Sequence, residues 1–279
     1  MQKIRRTLKR SFMFTVALMM VLSFAPLAFM ASAETVPERL TSPNTFAITH
    51  SFAQVNIGRS LPRNEMDIGD TRVPLGSPDS LAYELYKLGL MQGVSTDEDG
   101  EPNFGLDRPP NRLQALILTI RLLGLEEEAL AYEGENPFAD VTAASQVPYV
   151  AYGFDKGITT GVSASSFSPT RLVTLREFTT FLLRVLGYDD REGDFLYVKA
   201  LEMAVEVGLY SEEMVEDLSE GEFLRAEAVA AMVAALLTNI KDSDEILLID
   251  TLVEAEVFTR EKADAFIEVV TAVDEDDEP

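Results

Sequence analysis

The sequence contains no cysteine and no tryptophan, and His50 is its single histidine. Without cysteine there is no disulfide and no thiolate nucleophile, so the fold must be stable through packing alone. One histidine in a poorly patterned segment leaves Ser-His-Asp triads and histidine-based metal centres short of the side chains they need. We therefore expect no cofactor, no metal and no enzyme activity, although a carboxylate pair among the 47 acidic residues keeps a glycosidase open.

The acidic run from Asp97 to Glu101 invites comparison with a calcium loop. An EF-hand loop needs glycine at its sixth position and glutamate at its twelfth. Counted from Asp97, those positions hold Pro102 and Arg108. We therefore interpret the run as a solvated turn and predict no metal site there.

Positive charge is scarce outside the N-terminus. Met1 to Arg10 hold five basic residues and no acid, an apolar run from Ser11 to Met30 follows, and Ala31-Ser32-Ala33 closes the segment. This three-part pattern predicts a secretory signal peptide over residues 1–33. The alternative is a retained membrane anchor, because the run approaches the roughly 20 residues that span a bilayer. Pro26 and the Ala-x-Ala triplet favour cleavage, and we expect no membrane contact afterwards.

Cleavage after Ala33 removes those five basic residues and no acid, which changes the net charge from −24 to −29. Such a surface repels anionic polymers at long range and argues against nucleic acid as a partner. With 47% hydrophobic residues, the chain is nevertheless expected to fold into a globular structure.

Three segments share one helical pattern of apolar residues. They are Asn111–Leu123, Thr174–Leu186 and Leu224–Leu236. In the second, Phe178, Phe181, Leu182 and Val185 recur at i, i+3, i+4 and i+7, which predicts an amphipathic helix. Each apolar stripe must be buried, and packing against the other two helices is the simplest solution.

A second amphipathic segment that ends in glycine precedes each of these three. These segments are Leu81–Gly89, Tyr149–Gly157 and Val198–Gly208. Phe104 and Phe167 are 63 residues apart, as are Gly124 and Gly187, so the first two copies share one register. The repeated unit is a helix, a glycine loop and a helix. The helical aromatic residues could lie in the core or form a platform for a sugar, and we expect the core for all six: Tyr83, Tyr86, Tyr149, Tyr152, Phe178 and Phe181.

The second copy contains four short motifs in order, Phe138-Ala-Asp-Val141, Gly157-Ile-Thr-Thr-Gly161, Phe167-Ser-Pro169 and Val173-Thr-Leu-Arg-Glu-Phe178. With these motifs it resembles a complete S-layer homology (SLH) repeat. The first copy keeps Gly89-x-x-x-Gly93, Phe104 and Asn111-Arg-Leu-Gln114, and the third keeps Gly208 and Leu224-Arg-Ala-Glu227. The resemblance extends from Ser77 to Asn239.

We therefore predict an all-α fold. Three pseudo-repeated helix–glycine loop–helix units surround a central three-helix bundle, with a C-terminal helical extension and a short N-terminal arm. The arm is either a linker or a small β-rich segment, with a candidate strand from Thr45 to Ile57. The predicted divisions are signal peptide 1–33, arm 34–76, repeats 77–130, 136–190 and 191–240, and a C-terminal helical pair with an acidic tail over 241–279.

SLH domains bind secondary cell-wall polysaccharides, often ones that bear negatively charged pyruvyl ketals. The resemblance implies glycan-binding roles for Arg112, Arg225, Arg176, Gly93, Gly161 and Asp140. A guanidinium offers a planar fork of donors to a carboxylate, and a helix N-terminus adds free N–H groups.

Two departures from the family pattern weaken this assignment. The second copy has Leu175 in the arginine position, with Arg176 about 100° further round the helix. The tryptophan expected near Ser145 is missing. A structural alternative is that Arg112 and Arg225 pair with nearby acids and hold the repeats together.

The leading hypothesis is an exported, non-enzymatic protein that binds a cell-wall polymer at the bacterial surface. The alternative is a degenerate SLH scaffold that no longer binds glycan and docks another exported protein. The 43 residues of the arm 34–76 are too few for an enzyme domain, so the effector would be the anchor itself or a separate chain.

Overall fold

The computed structural model describes residues 66–68, 71–73, 78–96, 98, 100–212, 215–216 and 222–271. The predicted signal peptide, the candidate strand Thr45–Ile57 and the acidic tail from Asp274 lie outside the described residues. His50 and Asp97 lie outside them as well. These predictions stay predictions.

Helices dominate the described part of the chain, which confirms the predicted all-α class. They are α1 Pro78–Lys87, α2 Arg112–Leu122, α3 Glu126–Leu130, α4 Val147–Asp155, α5 Leu175–Val185, α6 Ala200–Glu206, α7 Arg225–Leu236, α8 Leu248–Glu254 and α9 Arg260–Thr271. A 3-10 turn, Tyr197–Lys199, directly precedes α6.

Two short antiparallel ribbons accompany the helices. Strands β1 (Met66–Ile68) and β2 (Thr71–Val73) pair within the predicted arm, with Ile68 opposite Thr71. Strands β3 (Ser95–Thr96) and β4 (Pro102–Asn103) pair in the loop between α1 and α2. Strands of two residues are too short to show an alternating pattern in sequence, and β3–β4 was not predicted.

Capping explains where the long helices start. At α2, the Asn111 side chain accepts a bond from the Gln114 N–H, and the Gln114 side chain accepts one from the Asn111 N–H, both at 2.9 Å. Thr174 and Glu177 form the same reciprocal pair at α5, at 3.3 and 3.1 Å. At α7 only the return bond is made, from Leu224 N–H to Glu227 at 2.7 Å, because leucine has no side-chain oxygen.

Helices α2, α5 and α7 contact one another pairwise, and each carries one outer helix. Outer helix α1 packs on α7, α4 packs on α2, and α6 packs on α5. These helices contribute fully buried side chains to one common core, among them Leu116, Phe178, Phe181 and Val233. The C-terminal pair α8–α9 adds to this assembly, with α8 in contact with α7.

The aromatic residues divide into two groups. Tyr149, Tyr152, Phe178 and Phe181 are buried, as predicted. The prediction is wrong for Tyr83 and Tyr86, which are 41% and 43% exposed. Helix α1 buries the face that contains Ala82 and Leu85, and each tyrosine follows one of these residues, about 100° further round the helix.

Candidate functional site

The first candidate region is the contact between the start of α2 and the loop before α5. Arg112 N–H donates to the Arg171 carbonyl at 2.8 Å, and Leu113 N–H donates to the Pro169 carbonyl at 3.1 Å. In return, Val173 N–H donates to the Pro110 carbonyl at 3.0 Å. We call this region, residues 110–113 with 169–173, the α2 junction.

The Arg112 side chain is enclosed at the α2 junction. Its Nη1 donates to Glu177 Oε1 at 2.8 Å, and the two side chains are only 6% and 7% exposed. Its Nη2 lies 3.3 Å from the Gly161 carbonyl, and its Cζ lies 5.2 Å from the centroid of the Phe167 ring. Burial lowers the pKa of Arg112, while the negative charge of Glu177 opposes that shift. The buried positive charge of Arg112 is therefore balanced inside the protein by the Glu177 carboxylate.

The Glu177 carboxylate accepts hydrogen bonds from two arginines and from the N-terminus of a helix. It accepts bonds from Arg112, from the half-exposed Arg171, and from the Thr174 N–H at the start of α5. Burial alone raises the pKa of Glu177, but the bonds from Arg171 and Thr174 and the charge of Arg112 hold it below its ordinary value. The carboxylate is thus kept ionised at neutral pH.

The second candidate region repeats the backbone hydrogen bonds of the α2 junction, with acceptor carbonyls that lie 63 positions earlier in the chain. Arg225 N–H donates to the Arg108 carbonyl at 2.9 Å, and Ala226 N–H donates to the Leu106 carbonyl at 3.1 Å. Arg108 lies 63 positions before Arg171, and Leu106 lies 63 before Pro169. We call this region, residues 104–108 with 224–226, the α7 junction. At the α7 junction, Arg225 contacts the loop before α2. At the α2 junction, Arg112 contacts the loop before α5 in the same way.

The Arg225 guanidinium differs from Arg112 in its charge environment. It is 6% exposed, and its Nε donates to the Phe104 carbonyl at 2.8 Å. Among the described residues, no carboxylate forms a salt bridge with it. Burial lowers the pKa of Arg225, and the positive charge of Arg121 lowers it further. The α7 junction therefore holds a buried cation without a described counter-ion.

The sequence register explains this difference. Glu177 corresponds to Gln114, which lies 63 positions earlier. Gln114 is exposed and uses its oxygen to cap its own helix at the Asn111 N–H, 2.9 Å away. Its amide carries no charge, so it cannot neutralise a guanidinium.

Asp140 and Gly161, two of the predicted glycan-binding residues, organise the loop at residues 161–168. Asp140 accepts bonds from Phe167 N–H at 2.9 Å, from Ser168 N–H at 2.7 Å and from the Ser166 hydroxyl at 2.7 Å. Burial raises the pKa of Asp140, but these bonds outweigh that effect and lower it. Gly161 has φ +78°, and a Cβ atom there would lie 2.3 Å from the Phe138 ring.

The remaining two predicted residues lie apart from these contacts. Gly93 is next to the β3–β4 ribbon, where a Cβ atom would come within 2.9 Å of the Ser95 carbonyl. Arg176 is exposed in the first turn of α5. The structure therefore brings Arg112 and Gly161 together and places Arg225 at a separate junction.

The pairing of Glu177 with Arg112 was not predicted from the sequence. The Thr174–Glu177 spacing predicts a helix cap, but a partner 65 positions away leaves no local signal. In the part of the chain that the structure describes, no cluster of three metal-ligating side chains occurs. No helix there is both long enough and apolar enough to cross a membrane.

Comparison with known proteins assigns part of the chain to a family. Residues 137–179 match the family described as S-layer homology domain. This match covers the Phe-x-Asp-Val motif, the glycine loop and the start of α5. It does not extend to the first and third copies.

Three curated relatives are similar to larger parts of the chain. A cell surface protein of Thermoanaerobacter kivui is 29% identical over 169 residues, which cover 60% of this chain and 21% of the relative. A middle cell wall protein of Brevibacillus brevis is 30% identical over 106 residues, covering 38% of this chain and 10% of the relative. An endoglucanase of Bacillus sp. strain KSM-635 is 32% identical over 104 residues, covering 34% and 11%.

The chain thus spans about a fifth or less of the length of these relatives. Its S-layer homology match covers residues 137–179. The protein is exported and is located at the cell wall or the cell surface.

Proposed function

We propose that this exported chain holds on to the bacterial cell wall without a covalent bond, by binding an anionic secondary polysaccharide at the α7 junction. In this proposal, three pseudo-equivalent SLH-type units surround the α2–α5–α7 bundle. The observation that carries the proposal is the buried Arg225 guanidinium, which has no described counter-ion.

The chemistry of Arg225 favours an anionic ligand. A buried charge without a partner is costly, and a bound anion would offset that cost. A guanidinium can bind a carboxylate through two parallel hydrogen bonds. Among the described residues, the one side-chain hydrogen bond of Arg225 runs from its Nε to the Phe104 carbonyl. Arg225 is also the first residue of a 12-residue helix, whose N-terminal dipole favours negative charge. The carboxylate of a pyruvyl ketal would meet all three conditions.

We assign the other predicted residues mainly structural roles. Arg112 is ion-paired with Glu177, Gly161 allows close packing against Phe138, and Asp140 fastens its loop. Arg112 would become a ligand only if the polymer displaced Glu177.

Co-sedimentation with purified wall sacculi tests the proposal. Protein lacking residues 1–33 should pellet with native walls and stay in solution when the secondary polymer has been stripped chemically. The Arg225→Gln variant should lose about tenfold in affinity, since one charge-assisted contact is worth roughly 1.5–3 kcal/mol. The Lys262→Gln variant, at an exposed position of α9, removes the same charge and serves as the control. No pelleting with native walls would refute the proposal.

A scaffold that docks another exported protein is the second candidate function. It is favoured by an exposed apolar run on the 3-10 turn, where Leu196, Tyr197 and Val198 are 62%, 44% and 65% exposed. Contiguous apolar surface of this kind is typical of protein interaction sites. A Leu196→Ser/Val198→Ser variant that still pellets with walls but loses a co-purifying protein would favour the scaffold.

A further inference from the structure

We infer that Tyr83 and Tyr86 of α1 form a stacking platform for a neutral sugar ring of the polymer whose charged group binds Arg225. This inference rests on the proposed function, since it places a second subsite of the same ligand beside the α7 junction. We call these two rings the tyrosine platform.

Ring contacts connect the tyrosine platform to the α7 junction. The centroids of Tyr83 and Tyr86 are 5.9 Å apart, with 35° between the ring planes. The Tyr86 ring lies edge-on to Phe104, with centroids 6.1 Å apart. Phe104 in turn accepts the hydrogen bond from Arg225 Nε at 2.8 Å. Phe104 therefore connects the Tyr86 ring to the buried Arg225 guanidinium.

The packing of α1 and an ion pair hold the platform in position. Helix α1 packs directly on α7, the helix that begins with Arg225. Lys87 lies over the Tyr83 ring at 5.8 Å and is paired with the Glu84 carboxylate at 2.6 Å. A tyrosine ring has only two side-chain torsions to fix, so little entropy is lost when a ligand covers it.

The chemistry of this surface favours a sugar over a protein helix. A pyranose offers one flat C–H face to an aromatic ring and keeps its hydroxyl groups in water, which suits two half-exposed phenol rings. A protein segment would need a deeper apolar groove, and Lys87 and Glu84 place charge at the edge of this surface instead. A polymer that alternates neutral and anionic sugars would contact the rings and Arg225 at once.

The second repeat provides an internal comparison. Phe154 and Tyr86 both lie three residues before a closing glycine, Gly157 and Gly89. Phe154 is 41% exposed and stacks edge-on against Phe138 at 5.4 Å. Three residues before it, the counterpart of Tyr83 is the buried Ala151. The second repeat thus has one exposed ring here, and α1 has two.

A single-tryptophan variant tests the platform directly, because the chain has no tryptophan of its own. In Tyr86→Trp protein, soluble glycan fragments released from the wall polymer should shift the tryptophan emission in a saturable way. In Phe154→Trp protein the same fragments should leave the emission unchanged. Unchanged emission of the Tyr86→Trp variant would overturn the platform.

Wall binding by substituted proteins separates this inference from the function on which it rests. Tyr83→Leu/Tyr86→Leu protein keeps apolar area but loses the flat rings, and its affinity for sacculi should fall about tenfold. Phe154→Leu protein should bind as the unsubstituted chain does. If the unsubstituted chain pellets and the tyrosine variant pellets equally well, the platform fails and the anchor stands. If nothing pellets and no emission shift occurs, both fail.

Discussion

Arg112 Nη1 and Glu177 Oε1 lie 2.8 Å apart, although 65 positions separate the two residues in the chain. The pair joins the start of α2 to the first turn of α5, and both side chains are almost fully buried. Removing Glu177 would leave the buried charge of Arg112 without compensation, whereas removing Arg112 would leave Glu177 with its bond from Arg171. Arg225 is a buried cation without compensation already in the native protein, because no described carboxylate forms an ion pair with it.

The two arginines should respond in opposite ways to replacement by methionine. Arg112→Met is expected to lower the free energy of unfolding by about 2 kcal/mol, since Glu177 loses its buried partner but keeps the bond from the half-exposed Arg171. Arg225→Met removes an uncompensated buried cation and should leave stability unchanged or raise it. Urea unfolding of both variants measures this. An Arg225→Met protein as unstable as Arg112→Met would mean that Arg225 is structural after all.

The contribution of Glu177 to stability should disappear in acid. Because its folded-state pKa is lowered, its contribution is fully present above the unfolded value near 4.5 and is lost as the pH falls through the folded value. The Glu177→Gln variant should therefore be less stable than the native chain by about 3 kcal/mol at pH 7. The gap should shrink progressively below pH ~4.5.

Urea unfolding as a function of pH gives this difference directly. Glu202→Gln is the matched control, because Glu202 pairs with Lys199 at the surface, where the two side chains are 70% and 58% exposed. That change should leave the free energy of unfolding nearly unchanged, because solvent screens the exposed pair. A Glu177→Gln gap that stayed constant down to pH 2 would show that the ionised form is not what stabilises the fold.

A carboxylate at position 114 should compete with the wall polymer. Gln114→Glu keeps the helix cap at Asn111 and adds the negative charge that Glu177 supplies at the other junction. We expect the stability to be unchanged or slightly higher and the affinity for sacculi to fall about tenfold. Lys262→Gln, at an exposed position of α9, changes the net charge by the same unit and should not affect pelleting. Equal losses in both variants would point to a general charge effect.

Salt should speed association with the polymer instead of slowing it. The chain carries a net charge of −24, which repels an anionic glycan until close contact is made. Raising the ionic strength from 10 to 150 mM shortens the screening length from about 30 to about 8 Å. The association rate on immobilised polymer should therefore rise over this range. A rate that fell with salt would indicate steering by a basic surface and contradict the α7 junction as the main site.

The sequence predicted the helices whose apolar spacing and caps are local. The starts of α2 and α5 were predicted to within one residue, because Asn111 and Thr174 are their cap residues. Helix α3 was not predicted. Its first residue, Glu126, accepts bonds at 2.7 Å from Arg121 and from Tyr149, and the second of these is a tertiary contact that no periodicity reports.

Less of the candidate site could be predicted. The family pattern identified both buried arginines, but their different surroundings depend on which loop each helix start faces. Arg112 meets the loop before α5, where Glu177 follows, whereas Arg225 meets the loop before α2, where Gln114 follows. The exposure of Tyr83 and Tyr86 likewise depends on which face of α1 packs on α7.

The reciprocal caps at Asn111–Gln114 and Thr174–Glu177 have an evolutionary consequence. Glutamine and glutamate close the first turn of a helix equally well, so their exchange leaves helix initiation intact. Replacing one side-chain oxygen by nitrogen is then enough to open or close an anion site at the neighbouring junction. Such a chain can change the number of its wall contacts by single substitutions that keep the helix caps, and the cost in stability falls only where, as at Glu177, a buried arginine loses its partner.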